Sequence, residues 1–262
     1  MKKGVCIGTV PGGLSEKGFA LAKEAGFDGI ELGTLNDPES RQQAKALADR
    51  FGLEIPSIMN AIHWAKPLSD PDPEVRRESR EGMMASFATA EATGAQTVLL
   101  VPAVVNERVT YQEAWIRSSN ELLHLLPTAA EKGVDIAIEN VWNRFLLSPM
   151  EFIAYIDQFQ SPYLRAYFDV GNIAIYGIPH HWIRTLGSRI SKVHVKGFDT
   201  RTRQFTPTLL GGNIDWNAAM AALEEIGYDG WITAEMPQDR EDPEGGLHRL
   251  SEEMDRILSG NV

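Results

Sequence analysis

Four short apolar runs in the second half of the chain each close on a metal-binding type of side chain: IAIEN at Glu139, YFDVGN at Asp169, KVHVKG at His194 and ITAEM at Glu235. Each run reads as a buried strand with its ligand near the C-terminal end, and the intervals are those of a strand–helix repeat. In a closed parallel barrel those ends converge on one mouth. Three carboxylates and one imidazole form a hard-to-borderline donor set. It favours Mn²⁺, admits Mg²⁺ or Co²⁺, and suits Zn²⁺ less well. A six-coordinate ion with four protein ligands keeps two positions open, which adjacent carbonyl and hydroxyl oxygens of a sugar can fill. Loss of the proton beside the carbonyl would then give an enediolate stabilised by the ion. Glu139 and Glu235 can approach that carbon from opposite faces, one removing a proton and the other returning one. Two opposed bases invert a centre; one base working along a single face interconverts aldose and ketose. A lone charge at a strand end is commonly half of a salt bridge. Four on four runs are not, because buried carboxylates need partners and no Arg stands beside each.

The elements that must position these residues follow from the pattern. Eight apolar runs fall at 4–10, 28–33, 54–60, 97–103, 135–141, 164–171, 190–197 and 231–236, with helical patterns between them. Ser15 to Ala25 is followed by Gly26 as a stop. Residues 39–51 precede Gly52, Pro73 opens a long helix that Gly94 closes, and 111–132 stops at Gly133. Ser148-Pro149-Met150-Glu151 combines a cap, a first-turn Pro and a capping-box Glu. Asp215 caps the helix that ends at Gly227. The segment Pro67 to Pro73 reads as a loop entering a helix. This alternation predicts an α/β fold, a (β/α)8 TIM barrel occupying residues 1–262 as one domain. An open doubly wound sheet would usually carry a phosphate-binding Gly-rich turn after its first strand, whereas here that turn is VPGGLSEKG. Side chains alternate faces along a strand. Ile136 and Ile138 therefore oppose Ala137 and Glu139, and Phe168 and Val170 oppose Tyr167 and Asp169. Val193 and Val195 oppose Lys192, His194 and Lys196, and Ile232, Ala234 and Met236 oppose Thr233 and Glu235. With the apolar register facing the helices, all four ligand candidates point inward.

The 262 residues suit one such barrel, for which roughly 250 is typical. A net charge of −11 disfavours nucleic acid as a partner, since phosphate backbones need basic surface. No stretch reaches the roughly 18 apolar residues of a membrane span. The single cysteine, Cys6, reads as a buried structural thiol, and the expected location is cytoplasmic.

Further candidates surround the four. His63, after the third run, is placed to contact substrate or to pack beside Trp64. Glu31, ending the second run, is either a ligand for substrate hydroxyls or half of an ion pair at the rim. Trp142 offers an apolar wall for a sugar. His180 and His181 read as surface residues. The segment after the seventh run carries Lys196, Arg201, Arg203, Gly211 and Gly212, where barrels often bind anions, so a sugar phosphate is a candidate substrate alongside a free sugar. Lys66 is a second basic candidate.

The motifs GFDGIEL, NAIHW, IAIENVWNRF, YFDVGN, KVHVKGFD, GGNIDW and GYDGWITAEM, in that order along nearly the whole chain, resemble the xylose isomerase-like TIM-barrel superfamily, in its sugar phosphate isomerase/epimerase branch. The resemblance implies a Mn²⁺-type site at Glu139, Asp169, His194 and Glu235, with both glutamates as the acid–base pair. Tagatose/psicose-type ketose 3-epimerases carry a His three residues after the metal Asp, where this chain has Asn172. They also carry a Glu soon after NRF, where this chain has Leu146. The sugar contacts of those enzymes therefore do not transfer, free hexuloses become less expected as substrates, and DVGN fits phosphate-sugar epimerases better; Asn172 stands as a candidate substrate contact. Endonuclease IV-type relatives need several more His, which are absent here.

The expected function is thus metal-dependent sugar or sugar-phosphate isomerisation or epimerisation, with a homo-oligomer among the expected assemblies. The competing readings are an inosose dehydratase-like lyase, a hydroxypyruvate-type aldose–ketose isomerase, and a non-catalytic sugar- or metal-binding barrel.

Overall fold

The computed structural model describes residues 1–262. Eight parallel strands close on themselves: β1 (Lys2–Cys6), β2 (Gly29–Gly33), β3 (Ile58–Met59), β4 (Thr97–Leu100), β5 (Asp135–Glu139), β6 (Leu164–Asp169), β7 (Ile190–Val195) and β10 (Trp231–Ala234). The ring runs in chain order and β1 pairs with β10 to complete it. Helices α1 (Glu16–Glu24), α2 (Pro38–Phe51), α3 (Pro73–Thr93), α4 (Tyr111–Lys132), α5 (Pro149–Asp157), α8 (Trp216–Glu225) and α9 (Pro243–Leu258) follow the strands, and two helices, α6 (Val170–Ile173) and α7 (Pro179–Leu186), bridge β6 to β7. The chain is a single-domain (β/α)8 TIM barrel.

The helix boundaries follow the local chemistry read from the sequence. Thr110 with Glu113 and Ser148 with Glu151 form reciprocal capping boxes. Gly52, Gly94 and Gly133 end α2, α3 and α4 in the left-handed conformation. The strand register is also as read. Ile136, Ile138, Phe168, Val193, Val195 and Ile232 join the large core between barrel and helices. Ala137 and Tyr167 instead meet Leu99 and Met59 in a small cluster of their own.

Three segments depart from the sequence expectation. β1 ends at Cys6, and Ile7–Thr9 makes a 3-10 turn where the run 4–10 predicts continued strand. Thr9 Oγ1 donates to the Met236 carbonyl at 2.6 Å, which pins that turn across the barrel mouth. β3 is only two residues long, because Pro56 has no N–H to give the ladder. After β7 the chain forms an unpredicted antiparallel hairpin, β8 (Phe198–Asp199) with β9 (Gln204–Phe205). The glycines flanking it serve close packing. A Cβ at Gly197 would lie 2.0 Å from the Thr208 carbonyl oxygen, and one at Gly212 would lie 2.0 Å from that of Phe198.

Candidate metal centre

Glu139, Asp169 and His194 end or nearly end β5, β6 and β7, and Glu235 stands one residue past β10, its N–H still donating to the Val195 carbonyl at 3.1 Å. Ligand atoms of these four side chains lie within 4.8 Å of one another, so they form a cluster that could hold a metal ion. Asp169 is aimed by its neighbours. Its N–H donates to Asn140 Oδ1 at 2.9 Å, and its carbonyl accepts from Asn140 Nδ2 at 2.8 Å. Its Oδ1 accepts from the Asn172 N–H at 2.7 Å, capping α6. That leaves Oδ2 facing the cluster.

His194 is fully buried and has two different sides. Nε2 lies 2.9 Å from Glu31 Oε1. Nδ1 faces three carboxylates, 3.3 Å from Glu139 Oε1, 3.3 Å from Glu235 Oε2 and 4.0 Å from Asp169 Oδ2. A carboxylate behind one nitrogen fixes the proton there and leaves the other nitrogen's lone pair for a cation. Lys196 Nζ stands 2.6 Å from Glu235 Oε2 and 3.1 Å from Asp169 Oδ2. It is close enough to neutralise charge, yet neither oxygen receives a well-directed hydrogen bond. Burial would lower His194, but Tyr167, Glu31 and Cys6 around it raise it well above the ordinary imidazole value, so a cation at Nδ1 would displace a proton there. Two buried carboxylate oxygens without a well-directed donor beside that nitrogen fit a divalent cation, because oxygen-rich sets with one nitrogen suit Mn²⁺ or Mg²⁺.

The carboxyl groups differ electrostatically. Burial pushes Glu139 up to about 7 despite its contacts with His194 and Lys196. Burial also raises Asp169. Burial acts on Glu235 in the same sense, but His194 and Lys196 outweigh it and hold that group down to about 2. Two carboxyls in one site with opposed proton affinities are the usual arrangement for acid–base work.

Beneath the cluster lies a network that the sequence does not announce. Glu31 is buried, and its oxygens also accept from Tyr167 Oη at 2.6 Å, from Ser57 Oγ at 2.5 Å and from Cys6 Sγ at 3.2 Å. Burial would raise its carboxyl, but His194 and the two hydroxyls bring it below the ordinary value. Glu31 is therefore paired, but with His194 in the buried interior and not at the rim. Cys6 is buried as expected, yet it faces this network and lines the cavity rather than packing among the helices. Tyr167 shares a strand face with Asp169, so register carried a signal for it. Ser57 had none.

The other candidates separate. His63 is buried, and its Nδ1 accepts from the Val101 N–H at 3.3 Å. Burial pushes it down to about 4, so it is neutral at pH 7. Asn172 Nδ2 donates to the Asn140 carbonyl at 3.0 Å and lies 3.5 Å from Glu139 Oε1. Trp142 is 43% exposed and stacks on Phe205 with centroids 4.7 Å apart. His181 is exposed on α7, with His180 half-buried beside it. Arg203 is exposed in the hairpin turn and does not line the cavity above the cluster. That cavity measures about 830 Å³ and is lined by Lys196, Glu31, Glu235 and a largely apolar wall that includes Phe205.

Residues 19–257 match the family model of the xylose isomerase-like TIM barrel, and the chain belongs to that family. Among its curated relatives is L-ribulose-5-phosphate 3-epimerase UlaE from Escherichia coli O1:K1 / APEC, 27% identical over 236 residues covering 85% of this chain and 82% of that protein. An inosose dehydratase from Geobacillus thermodenitrificans is 25% identical over 238 residues, covering 82% and 79%. The crystal structure of a D-tagatose 3-epimerase-like protein superposes with a TM-score of 0.87 at 21% identity, covering 100% of this chain and 98% of that one. No helix is long and apolar enough to cross a membrane.

Proposed function

We propose that this protein is a divalent-metal-dependent epimerase or isomerase of keto sugars, and the observation that carries the reading is the cluster of Glu139, Asp169, His194 and Glu235 on four strand ends. These four would hold the ion, with Mn²⁺ best matched to the donor set. When bound, the ion supplies Lewis-acid stabilisation of negative charge on two adjacent substrate oxygens. Glu139 and Glu235 act on the carbon beside the carbonyl. Glu235, held ionised, is the better initial base, and Glu139, with its raised proton affinity, is the better donor. Asn140 and Asn172 keep Asp169 and Glu139 in place, and Glu31 holds the His194 tautomer. Named sugar epimerases among the relatives support the reading. The inosose dehydratases among them keep elimination as the second one. A cavity of about 830 Å³ exceeds what a three-carbon substrate needs, which disfavours a hydroxypyruvate-type isomerase.

The test is deuterium wash-in. The Mn²⁺-loaded protein is incubated with ketoses and their phosphates in D₂O, and the sugars are recovered for NMR. Metal-dependent exchange beside the carbonyl with an inverted centre is the expected result. Aldose formation would make the protein an isomerase, and loss of water a lyase. No exchange with any sugar, with metal bound, would sink the enolisation chemistry.

A further inference from the structure

A second set of metal-ligating atoms lies beneath the strand-end cluster. Cys6 ends β1, Glu31 is its register partner on β2, and His194 projects from β7. All three side chains are buried. Cys6 Sγ stands 3.2 Å from Glu31 Oε1 and 3.7 Å from His194 Nε2, and Glu31 Oε1 stands 2.9 Å from that nitrogen. One thiol, one carboxylate oxygen and one imidazole nitrogen thus form a compact triangle.

The triangle has the dimensions of a coordination face. Zinc–sulfur bonds of about 2.3 Å and zinc–nitrogen or zinc–oxygen bonds of about 2.0–2.1 Å put neighbouring ligands of a tetrahedral ion roughly 3.3–3.6 Å apart. Each separation here lies within about 0.5 Å of that range. Glu31 is aimed by its other oxygen. Oε2 accepts from Ser57 Oγ and from Tyr167 Oη, which turns Oε1 towards Cys6 and His194. Cys6 and Glu31 both line the cavity of about 830 Å³, which gives an ion its path and room for a water as fourth ligand.

The two sets differ in kind and share one residue. The strand-end cluster offers three carboxylates, one nitrogen and no sulfur. The lower set has a thiol, and thiolate favours zinc-class ions over Mn²⁺ or Mg²⁺. His194 belongs to both through opposite ring nitrogens. Nδ1 faces Glu139, Glu235 and Asp169, and Nε2 faces Cys6 and Glu31. A neutral imidazole has one lone pair and one N–H. An ion on Nδ1 leaves the N–H on Nε2, donated to Glu31. An ion on Nε2 leaves the N–H on Nδ1, pointing at the carboxylates of the upper cluster.

We propose that Cys6, Glu31 and His194 form a second cation site, selective for a thiophilic divalent ion of the Zn²⁺ or Cd²⁺ class, and that filling it expels the ion from the strand-end cluster. On binding, Cys6 gives its thiol proton to solvent, and the ring keeps a single proton, now on Nδ1. The exclusion rests on the proposed function, since it needs an ion at the upper cluster; the second site does not. The shared imidazole makes the protein active with a hard ion and inactive with a soft one.

The experiment titrates Cd²⁺ into the intact chain loaded with Mn²⁺. Cys6 is the sole cysteine, so a thiolate-to-Cd²⁺ charge-transfer band in the ultraviolet reports this site alone. Paramagnetic resonance reports the Mn²⁺ set free. The expected result is a band that saturates at a single equivalent of Cd²⁺, with Mn²⁺ released in step. Cys6→Ser and Cys6→Ala, checked for folding by circular dichroism, should lose the band. They should need at least about tenfold more Cd²⁺ to release the same Mn²⁺, the least that even an outer partner of a metal ligand is worth. A band without Mn²⁺ release, or release that both variants leave unchanged, overturns the exclusion. Absence of the band overturns the second site and leaves the strand-end cluster standing. Failure of Mn²⁺ to bind before Cd²⁺ is added defeats the metal reading of that cluster and the exclusion with it, and the band then decides the second site by itself.

Discussion

The two halves of the barrel do different work. β5, β6, β7 and the residue after β10 supply every member of the Glu139–Asp169–His194–Glu235 cluster. β1, β2, β3 and the turn after β1 supply one side of the apolar wall, from Ile7 through Leu32 to Met59, and one buried carboxylate, Glu31, while Phe205 and Met236 close the wall from the other half. On the proposed function, the first half would act at the reacting carbon and the second would receive the rest of the substrate. A barrel makes this division cheap, because each strand end is an independent attachment point on a shared, packed frame. Glu31 is the exception, crossing from the wall half to support His194 at 2.9 Å.

The largest effect should come from breaking the chemical half alone. Glu139→Gln and Glu235→Gln should each lower kcat on the order of 100- to 10,000-fold, the usual worth of a positioned acid or base. Their circular dichroism and melting should stay near those of the parent protein, and turnover surviving both changes would remove the acid–base assignment.

The link between the halves comes next. Glu31→Gln removes the charge behind His194 Nε2 and should weaken Mn²⁺ binding about 10- to 100-fold, read by metal titration of the folded variant. An unchanged metal affinity would reduce Glu31 to a packing residue.

A smaller effect is in stability against pH, measured with chelator present. Glu139 has a folded value near 7, above its ordinary 4.5, so its contribution is full below about 4.5 and is lost as pH rises through 7. Glu235, held near 2, contributes above about 4.5 and loses that as pH falls towards 2. Thermal melts should therefore show a downward slope from pH 4.5 to 7 that Glu139→Gln flattens. Saturating Mn²⁺ should reverse it, because binding requires the deprotonated carboxylate. Melts of wild type and Glu139→Gln with identical slopes would contradict the raised proton affinity.

The smallest effect belongs to the substrate wall. Phe205→Ala loses the stacked face with Trp142 and should raise KM about 2- to 10-fold with kcat nearly unchanged, in line with the worth of one aromatic contact. A fall in kcat as large as that of the glutamate variants would mean that Phe205 shapes the reacting end.

Much of the barrel was legible in the chain because its signals are local. Capping boxes, helix-ending glycines and period-two alternation act within a few residues. They place Glu139, Asp169 and His194 on the inward register together with Ala137 and Tyr167. The hairpin that brings Phe205 over the cavity was not legible, because it consists of two-residue strands held by a long loop that packs on Gly197 and Gly212. The short β3 was overestimated, since apolar composition continued past the point where Pro56 interrupts the ladder.

The sequence by itself determined the strand–helix alternation, the helix ends and which residues point into the barrel, all consequences of spacing along one chain. Only the tertiary structure decided that Lys196 stands between Asp169 and Glu235 instead of waiting for an anion, and that Glu31 and Tyr167 lie beneath His194. Those pairings join residues separated by up to 163 positions. Charge pairing at such separations depends on distance and burial in three dimensions, and no periodicity along the chain encodes it.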